Sequence, residues 1–301
     1  MRPVGRALIT HGHSDHARAG HDAVLATEAT LKIMAIRYGE DFAGETEAAA
    51  WGVPVAINGV TFTFHPAGHI YGSAQIAVSW KGLTIVVSGD YKRAPDPTAE
   101  PFALVPCHVF ITEATFGLPV FRHPPAADEV GKLLTSLRLF PDRAHLVGAY
   151  SLGKAQRVMA LARTAGTDRP IYLHGAVEKL TRFYQAQGFD LGDIRLVRDA
   201  AKADLAGALV ICPPGAMKDL WARRFADPVT AFRAFAAAPR GTTTLKSNPK
   251  GKGPMMTTAP EDHAQPAPAA SSLPEPAPPA ASAPPQTTAA AISPEAIRAE
   301  A

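Results

Sequence analysis

The hexapeptide HGHSDH at residues 11–16 constrains this chain more than any other segment. Imidazole and carboxylate groups are good ligands for zinc and related divalent ions. Residues two apart in an extended backbone project to the same side, so His11 and His13 can bind one ion. Asp15 and His16 follow across a turn and face a different point. One ligand pair followed at once by another is what a two-metal centre needs, with ions roughly 3.5–4 Å apart.

Composition narrows the class of protein. The chain has 301 residues, of which 47% are hydrophobic, enough for one large or two medium domains. The net charge of +3 permits a nucleic-acid partner without arguing for one. Cys107 and Cys212 form no C-x-x-C pair, which predicts reduced thiols rather than a disulfide framework. No apolar run approaches the roughly 20 residues of a membrane span, and the N-terminus runs straight into the histidines, so we expect a cytoplasmic protein without membrane contact.

The pattern of apolar residues predicts three regions. Residues 1–117 contain mostly strands, including 4–10, 60–65, 74–80, 83–88 and 108–113, with 83–88 expected to be buried and 17–20 expected to lead into a helix. Residues 118–238 alternate strands with helices, which indicates a parallel α/β layer; the segments are helices 128–140, 154–165 and 177–187 and strands 145–150, 171–174 and 208–212. Residues 239–301 are dominated by Ala, Pro, Ser and Thr, which predicts a disordered tail because so little apolar surface can be buried.

Two further residues of metal-binding type follow the hexapeptide. His69 lies in a glycine-containing loop between two predicted strands, and Asp90 ends the strand at 83–88. A carboxylate in that position can bridge two ions. Each residue alone has a commoner explanation, since loop histidines are rarely ligands and an aspartate at a strand end usually caps a turn. Their order after HGHSDH favours ligation for both.

Several segments together resemble a known family. HGHSDH, HPAGHIYGSAQI, SGDYKR and ITEATFG, in this order, resemble the metallo-β-lactamase superfamily, and GHIYGSAQI and TEATFG are similar to its β-CASP nucleases. TEATFGLP, GAYSLGKAQRV, PIYLHGAVEKLTRFY and VICPPGA resemble in particular the bacterial ligase-associated DNA exonucleases. The resemblance covers roughly residues 4–232. It implies an α/β fold: an incomplete αββα-type sandwich at 1–117 and a β-CASP α/β domain at 118–238 that caps the site.

The resemblance also implies roles for individual residues. The first of two divalent metals, zinc or alternatively manganese, would be held by His11, His13 and His69, the second by Asp15 and His16, and Asp90 would bridge them. The two ions would activate a water for attack on a phosphate, and Asp15 would orient that water and accept its proton.

Four further residues would act around this centre. Glu113 would orient a catalytic histidine that protonates the leaving oxygen. Ser151, Lys154 and Arg157, at the start of a helix, would contact phosphates. A solvated basic helix face is an equally good explanation for Lys154 and Arg157.

The chain departs from the family at both ends. Strands and an acidic residue that precede the hexapeptide in the family are absent, and the resemblance stops near residue 232, before the family's later histidines. His263 lies in low-complexity sequence and is not expected to be a ligand. The second metal would then lack a histidine and Glu113 its partner. We therefore expect a chain truncated at its start and changed in frame near residue 233, with a weak second metal site.

These observations leave several functions open. The leading one is a metal-dependent DNA exonuclease used in DNA repair beside an ATP-dependent DNA ligase and a helicase. An RNA-processing β-CASP nuclease would use the same cleavage chemistry, so the metal motifs do not separate the two. A catalytically inactive relative that binds nucleic acid is favoured by the missing histidines. A small-molecule hydrolase such as a lactonase is disfavoured by the long second α/β region.

Overall fold

A computed structural model describes residues 2–115, 117, 121–122, 124–231 and 238–239, all within one compact unit. The helices are α1 (Glu28–Tyr38), α2 (Ala126–Leu139), α3 (Lys154–Thr164) and α4 (Gly175–Ala186), and the short 3₁₀ helices are Val197–Asp199, Lys202–Leu205, Pro214–Lys218 and Leu220–Arg224. The strands are β1 (Arg6–Leu8), β2 (His21–Thr27), β3 (Ala43–Ala49), β4 (Val55–Ile57), β5 (Val60–Pro66), β6 (Ala74–Trp80), β7 (Leu83–Val87), β8 (Val109–Ile111), β9 (Phe121–Arg122), β10 (His145–Gly148), β11 (Ile171–Leu173), β12 (Ile194–Leu196), β13 (Leu209–Cys212), β14 (Val229–Ala231) and β15 (Ala238–Pro239).

The first eight strands form two sheets. One is parallel, in the order β1-β2-β3, and the other has the order β4-β5-β6-β7-β8, antiparallel except for its last pair. Alternation along β2 explains the layering, because successive side chains face opposite sides. Val24 and Ala26 pack with Met34 of α1, whereas Leu25 packs with Phe64 and Ile76 of the second sheet. Helix, sheet and sheet therefore form three successive layers.

The second α/β region is built on a parallel sheet of order β12-β11-β13-β10-β14. One face of the sheet packs against α2, α3 and α4, and the other packs against the 3₁₀ segments. The predicted α/β class is thus confirmed in its general form, and each strand and helix predicted in this region has a counterpart within a few residues. The short strands β12 and β14 were not predicted. β9 and β15 form a separate antiparallel pair.

Two predictions for the first region are wrong. Residues 17–20 lead into β2 rather than a helix, because the apolar run in His21–Thr27 pairs between β1 and β3, and α1 begins only where Thr27 caps it. Strand β7 is only partly buried, and β8 beside it keeps large apolar side chains exposed. The three residues of β8 are 43–53% exposed, so this edge of the sheet is covered by fewer side chains than β5 and β6 are.

Residues 240–301, nearly the whole of the predicted tail, lie outside the described residues. Within the described part of the chain, no helix is long and apolar enough to cross a membrane. Cys107 and Cys212 are both free thiols, and burial raises the pKa of Cys212 to about 12.

Candidate metal centre

Helix α1 holds the HGHSDH segment in a tight turn after β1. The backbone N–H groups of His16 and Ala17 both donate to the carbonyl of His13, at 3.1 and 2.8 Å, which folds the segment back on itself. Arg37 of α1 donates to the carbonyl of Gly12 at 2.8 Å, and the Tyr38 hydroxyl donates to that of Ala17 at 2.8 Å. The turn is therefore anchored at both ends by one helix.

Four side chains converge beside this turn. The Nε2 atom of His11 lies 3.1 Å from Nδ1 of His13, which lies 3.2 Å from Nε2 of His69. Asp90 Oδ2 is 3.5 Å from His69 Nε2 and 3.9 Å from His11 Nε2. All four ligand atoms lie within 4.8 Å of one another. Ligands placed tetrahedrally at roughly 2.0–2.1 Å from a zinc ion would be roughly 3.3–3.4 Å apart. The cluster therefore has dimensions that fit one metal ion.

His11 and His13 each have a contact on the side of the ring away from the cluster, and His69 is held through its backbone. The Thr10 hydroxyl lies 3.2 Å from Nδ1 of His11, and Nε2 of His13 lies 3.3 Å from the carbonyl oxygen of Leu152. The loop of His69 is held by Ser73, whose hydroxyl oxygen accepts from the backbone N–H of His69 at 3.0 Å. Contacts to the far ring nitrogen orient a metal-binding histidine. They leave the facing nitrogens free to bind.

Burial keeps these histidines neutral. Desolvation lowers the pKa of His11 and His13, and it lowers the pKa of His69 to about 3, with repulsion from His13 adding to the effect. Neutral imidazole is the form that binds metals, so no proton has to be displaced near pH 7. Burial also raises the pKa of Asp90, and the nearby charge of Glu113 raises it further.

A second, more open group lies on the other side of Asp90. Nε2 of His16 is 3.3 Å from Asp90 Oδ1 and 3.7 Å from Asp15 Oδ2. The side chain of Asp15 is 76% exposed. Asp90 thus presents one oxygen to the four-residue cluster and the other to His16. This is the arrangement expected of a carboxylate that bridges two ions.

The remaining candidates are not members of the four-residue cluster and have other partners. Glu113 accepts a hydrogen bond from the backbone N–H of Thr115 at 2.9 Å, within its own loop. The ammonium of Lys154 lies 5.2 Å from the ring centre of Tyr150, and burial lowers the pKa of Lys154. Ser151 uses its carbonyl to accept from the Gln156 amide at 3.1 Å.

Arg157 has an internal partner. Its Nε atom lies 3.3 Å from Oδ2 of Asp96, a side chain that is only 3% exposed and is also paired with Lys92. Asp96 additionally accepts from the backbone N–H and the hydroxyl of Thr98, at 2.9 and 2.7 Å. The guanidinium therefore neutralises a buried carboxylate.

Sequence reasoning missed the residues that support the centre. Arg37 and Thr10 carry no motif of their own, so only tertiary contacts reveal them. Gln156, in contrast, could have been recognised from its position in the sequence. It is the third residue of α3, and a Gln at that position is the second half of a capping box.

Comparisons with known proteins found similar sequences. No protein-family model matches the chain. It is 32% identical to a probable DNA ligase of Opitutus terrae over 239 residues, which are 76% of this chain and 22% of that protein. It is 34% identical to the endoribonuclease ysh1 of Emericella nidulans over 110 residues, 35% of this chain and 12% of that one.

A bacterial ribonuclease is also similar. Ribonuclease TTHA0252 of Thermus thermophilus is 27% identical over 206 residues, 57% of this chain and 46% of that protein. The chain therefore spans between about an eighth and just under a half of these three relatives. Its similarity is to proteins named as nucleases and to part of a protein named as a probable DNA ligase.

Proposed function

We propose that this chain is a β-CASP nuclease of the metallo-β-lactamase superfamily that hydrolyses phosphodiester bonds in nucleic acid. The observation that carries the proposal is the convergence of His11, His13, His69 and Asp90 on one point. Relatives named as ribonucleases support the substrate class. In this proposal the three layers of the first region belong to an αββα-type sandwich. Residues 118–238 form the β-CASP domain.

The donor set decides which ions fit. Three neutral imidazoles and one carboxylate are a common combination for zinc, and manganese is the alternative. His11, His13, His69 and Asp90 would hold the first ion. Asp15 and His16 would hold the second, with Asp90 shared between them. The second ion would be held more weakly, because it has fewer protein ligands and one of them is exposed.

The chemistry divides between the ions and the chain. The ions would supply Lewis acidity toward a phosphate oxygen and an attacking water. Asp15, exposed at the mouth of the centre, would orient that water and accept its proton. Glu113, whose charge raises the pKa of Asp90 in addition to the larger effect of burial, would act as an orienting carboxylate. Asp90 would hold the two halves of the site in register.

Metal-dependent cleavage by matched variants tests this proposal. The purified chain, loaded with zinc or manganese, is incubated with end-labelled single-stranded DNA and RNA of one sequence. We expect cleavage that a chelator abolishes and that Asp15→Ala and Asp90→Asn reduce by at least about 100-fold. Asp142→Asn removes an exposed carboxylate far along the chain and should leave cleavage unchanged. Equal cleavage by all variants would overturn the proposal.

The same assay separates DNA from RNA. We favour DNA, in an exonuclease that works in cytoplasmic DNA repair beside an ATP-dependent DNA ligase and a helicase, because the probable DNA ligase aligns with 76% of the chain. The ribonuclease names favour RNA as the second candidate. A preference for the DNA strand with stepwise shortening from one end supports the first function. Internal cuts in the RNA support the second, and binding without cleavage supports an inactive relative.

Contacts to the nucleic acid form the last part of the proposal. Ser151 and Lys154 lie at the start of α3, where a helix N-terminus and a cation suit phosphate. Arg157 belonged to the same predicted group, but its pairing with the buried Asp96 indicates a supporting role. Lys154 is therefore the better candidate for a phosphate contact.

A further inference from the structure

We propose that Gln156 is a positioning residue for the metal ligand His13, acting through the loop Ser151–Gly153. That His13 binds a metal rests on the proposed function. The hydrogen bonds that link Gln156 to the loop and the loop to the His13 ring do not depend on a metal. These contacts join the second α/β region to the candidate metal centre. They involve a buried amide, a loop carbonyl and one histidine ring.

The side chain of Gln156 forms hydrogen bonds with this loop on both sides of Leu152. Its side chain is fully buried in the first turn of α3. Oε1 accepts from the backbone N–H of Gly153 at 2.8 Å, and Nε2 donates to the carbonyl of Ser151 at 3.1 Å. A third hydrogen bond, from Nε2 to the hydroxyl of Thr181 at 3.0 Å, ties the amide to α4. The orientation of the amide is therefore determined, and with it the path of the loop.

The carbonyl between those two anchors determines the state of His13. Leu152 is buried, and its oxygen lies 3.3 Å from Nε2 of His13. A carbonyl oxygen only accepts, so Nε2 must carry the hydrogen. In a neutral imidazole the lone pair is then on Nδ1, the atom that faces His11 and His69 at 3.1 and 3.2 Å. The loop thus selects the tautomer that can bind a metal within the cluster.

Gly153 brings the same loop against a second ligand. Its backbone has φ +80° and ψ −66°, in a region that side-chain-bearing residues rarely adopt. A Cβ atom there would lie 2.3 Å from Cγ2 of Ile70, the residue directly after His69. One three-residue loop therefore contacts the segments that carry both His13 and His69. A shift of this loop would disturb two ligands together.

The tautomer of His13 in the metal-free protein provides the first test. Long-range ¹H–¹⁵N correlation spectra near neutral pH distinguish the two tautomers, and a His13→Gln variant assigns the signals. We expect the Nε2–H form in the wild-type chain and a mixture of tautomers in Gln156→Leu. Gln156→Glu keeps the acceptor for Gly153 but loses the donor to Ser151, so it should give an intermediate result. The Nε2–H form undiminished in both variants would overturn the proposal.

Zinc affinity provides the second test, by competition with a chromogenic chelator. Loss of an outer contact to a ligand typically weakens metal binding by about 10–100-fold, so we expect at least about a 10-fold loss in Gln156→Leu. Val158→Ala is the matched control, since Val158 is fully buried in the same helix and belongs to the core. It should destabilise the chain without changing zinc affinity. If Val158→Ala lost as much zinc affinity as Gln156→Leu, or if Gln156→Leu lost none, the proposal would be overturned and Gln156 would have only a structural role.

A third variant covers the case in which Gln156→Leu does not fold. Thr181→Val removes the hydroxyl that anchors the Gln156 amide to α4, and Thr181→Ser restores it. We expect weaker zinc binding in Thr181→Val and recovery in Thr181→Ser, with no difference between them if the proposal is wrong. None of these readouts uses nucleic acid. A failure to cleave substrate would overturn the proposed function and leave this inference standing.

Discussion

Asp90 Oδ1 lies 3.3 Å from Nε2 of His16, while the other oxygen of the same carboxylate points to His11 and His69. Asp90 is therefore shared by the closed four-residue cluster and the open group of Asp15 and His16. The two halves therefore differ in the number and burial of their ligands, and they should differ in what they bind.

We predict unequal metal binding. The purified chain, equilibrated with excess zinc and then dialysed, should retain about one ion per chain, because four ligands converge on the first position and three on the second. Elemental analysis and calorimetric titration measure the number and affinities. Asp90→Asn should weaken the retained ion as well as the second. Two ions retained with equal affinity would contradict this prediction.

We predict that Gly12→Ala destabilises the turn. A Cβ at residue 12 would lie 2.5 Å from Cγ2 of Ile33 in α1, so the helix and the turn cannot both keep their places. Overpacking of this kind costs about 1–3 kcal/mol of unfolding free energy. Urea denaturation of the metal-free protein measures it. In an Ile33→Ala background the same substitution should cost less, and an unchanged cost would show that the contact is not responsible.

We predict an acid-sensitive fold through His145. Its ring is buried between the Ser136 hydroxyl and the Arg143 carbonyl, both at 2.9 Å, and desolvation lowers its pKa in the folded state. Above the unfolded pKa of about 6.5 both states are neutral; below it only the unfolded state gains the proton, so stability falls as the pH falls. The slope from this residue is at most about 1.4 kcal/mol per pH unit.

The measurement is urea denaturation of the metal-free chain across this pH range, with His145→Gln for comparison. The buried ligand histidines His11, His13 and His69 act in the same direction, because their pKa values are also lowered. The wild-type chain should therefore lose stability in acid more steeply than His145→Gln. Parallel curves for the two proteins would rule out a contribution from His145.

We predict different consequences for the two cations of α3. Arg157→Ala leaves the buried Asp96 with Lys92 as its remaining cationic partner, so it should destabilise the fold, by less than the about 3–5 kcal/mol that leaving a buried charge wholly unpaired costs. Lys154 is paired with no carboxylate in the contacts of the described residues, so Lys154→Ala should change stability little and reduce the salt dependence of nucleic-acid binding by about one phosphate contact. Denaturation and binding titrations at several salt concentrations measure both. If Arg157→Ala changed the salt dependence of binding and Lys154→Ala changed the stability, the two roles would have to be exchanged.

Local patterns predicted helices α2, α3 and α4 and about half of the strands. Strands β5 and β6 follow from alternating and β-branched residues, and α2, α3 and α4 follow from apolar residues at helical spacing. The prediction failed after the hexapeptide, where β2 precedes α1. Its apolar run is too short for periodicity to separate a strand from a helix, and pairing with β1 and β3 decides the outcome. The burial of β7 was also beyond local sequence, since it depends on what packs over the sheet.

The residue types of the candidate site were already present in the sequence. HGHSDH, His69 and Asp90 contain the nitrogen and oxygen ligands of a metal centre, because ligand chemistry belongs to the side chain itself. Tertiary structure alone decided which ligand atoms face one another and which half of the site is closed. It also paired Arg157 with the buried Asp96. It also placed Gln156 and Leu152 behind His13. Those relationships join residues up to 139 positions apart, and distances between remote side chains are set only when the sheets and helices pack.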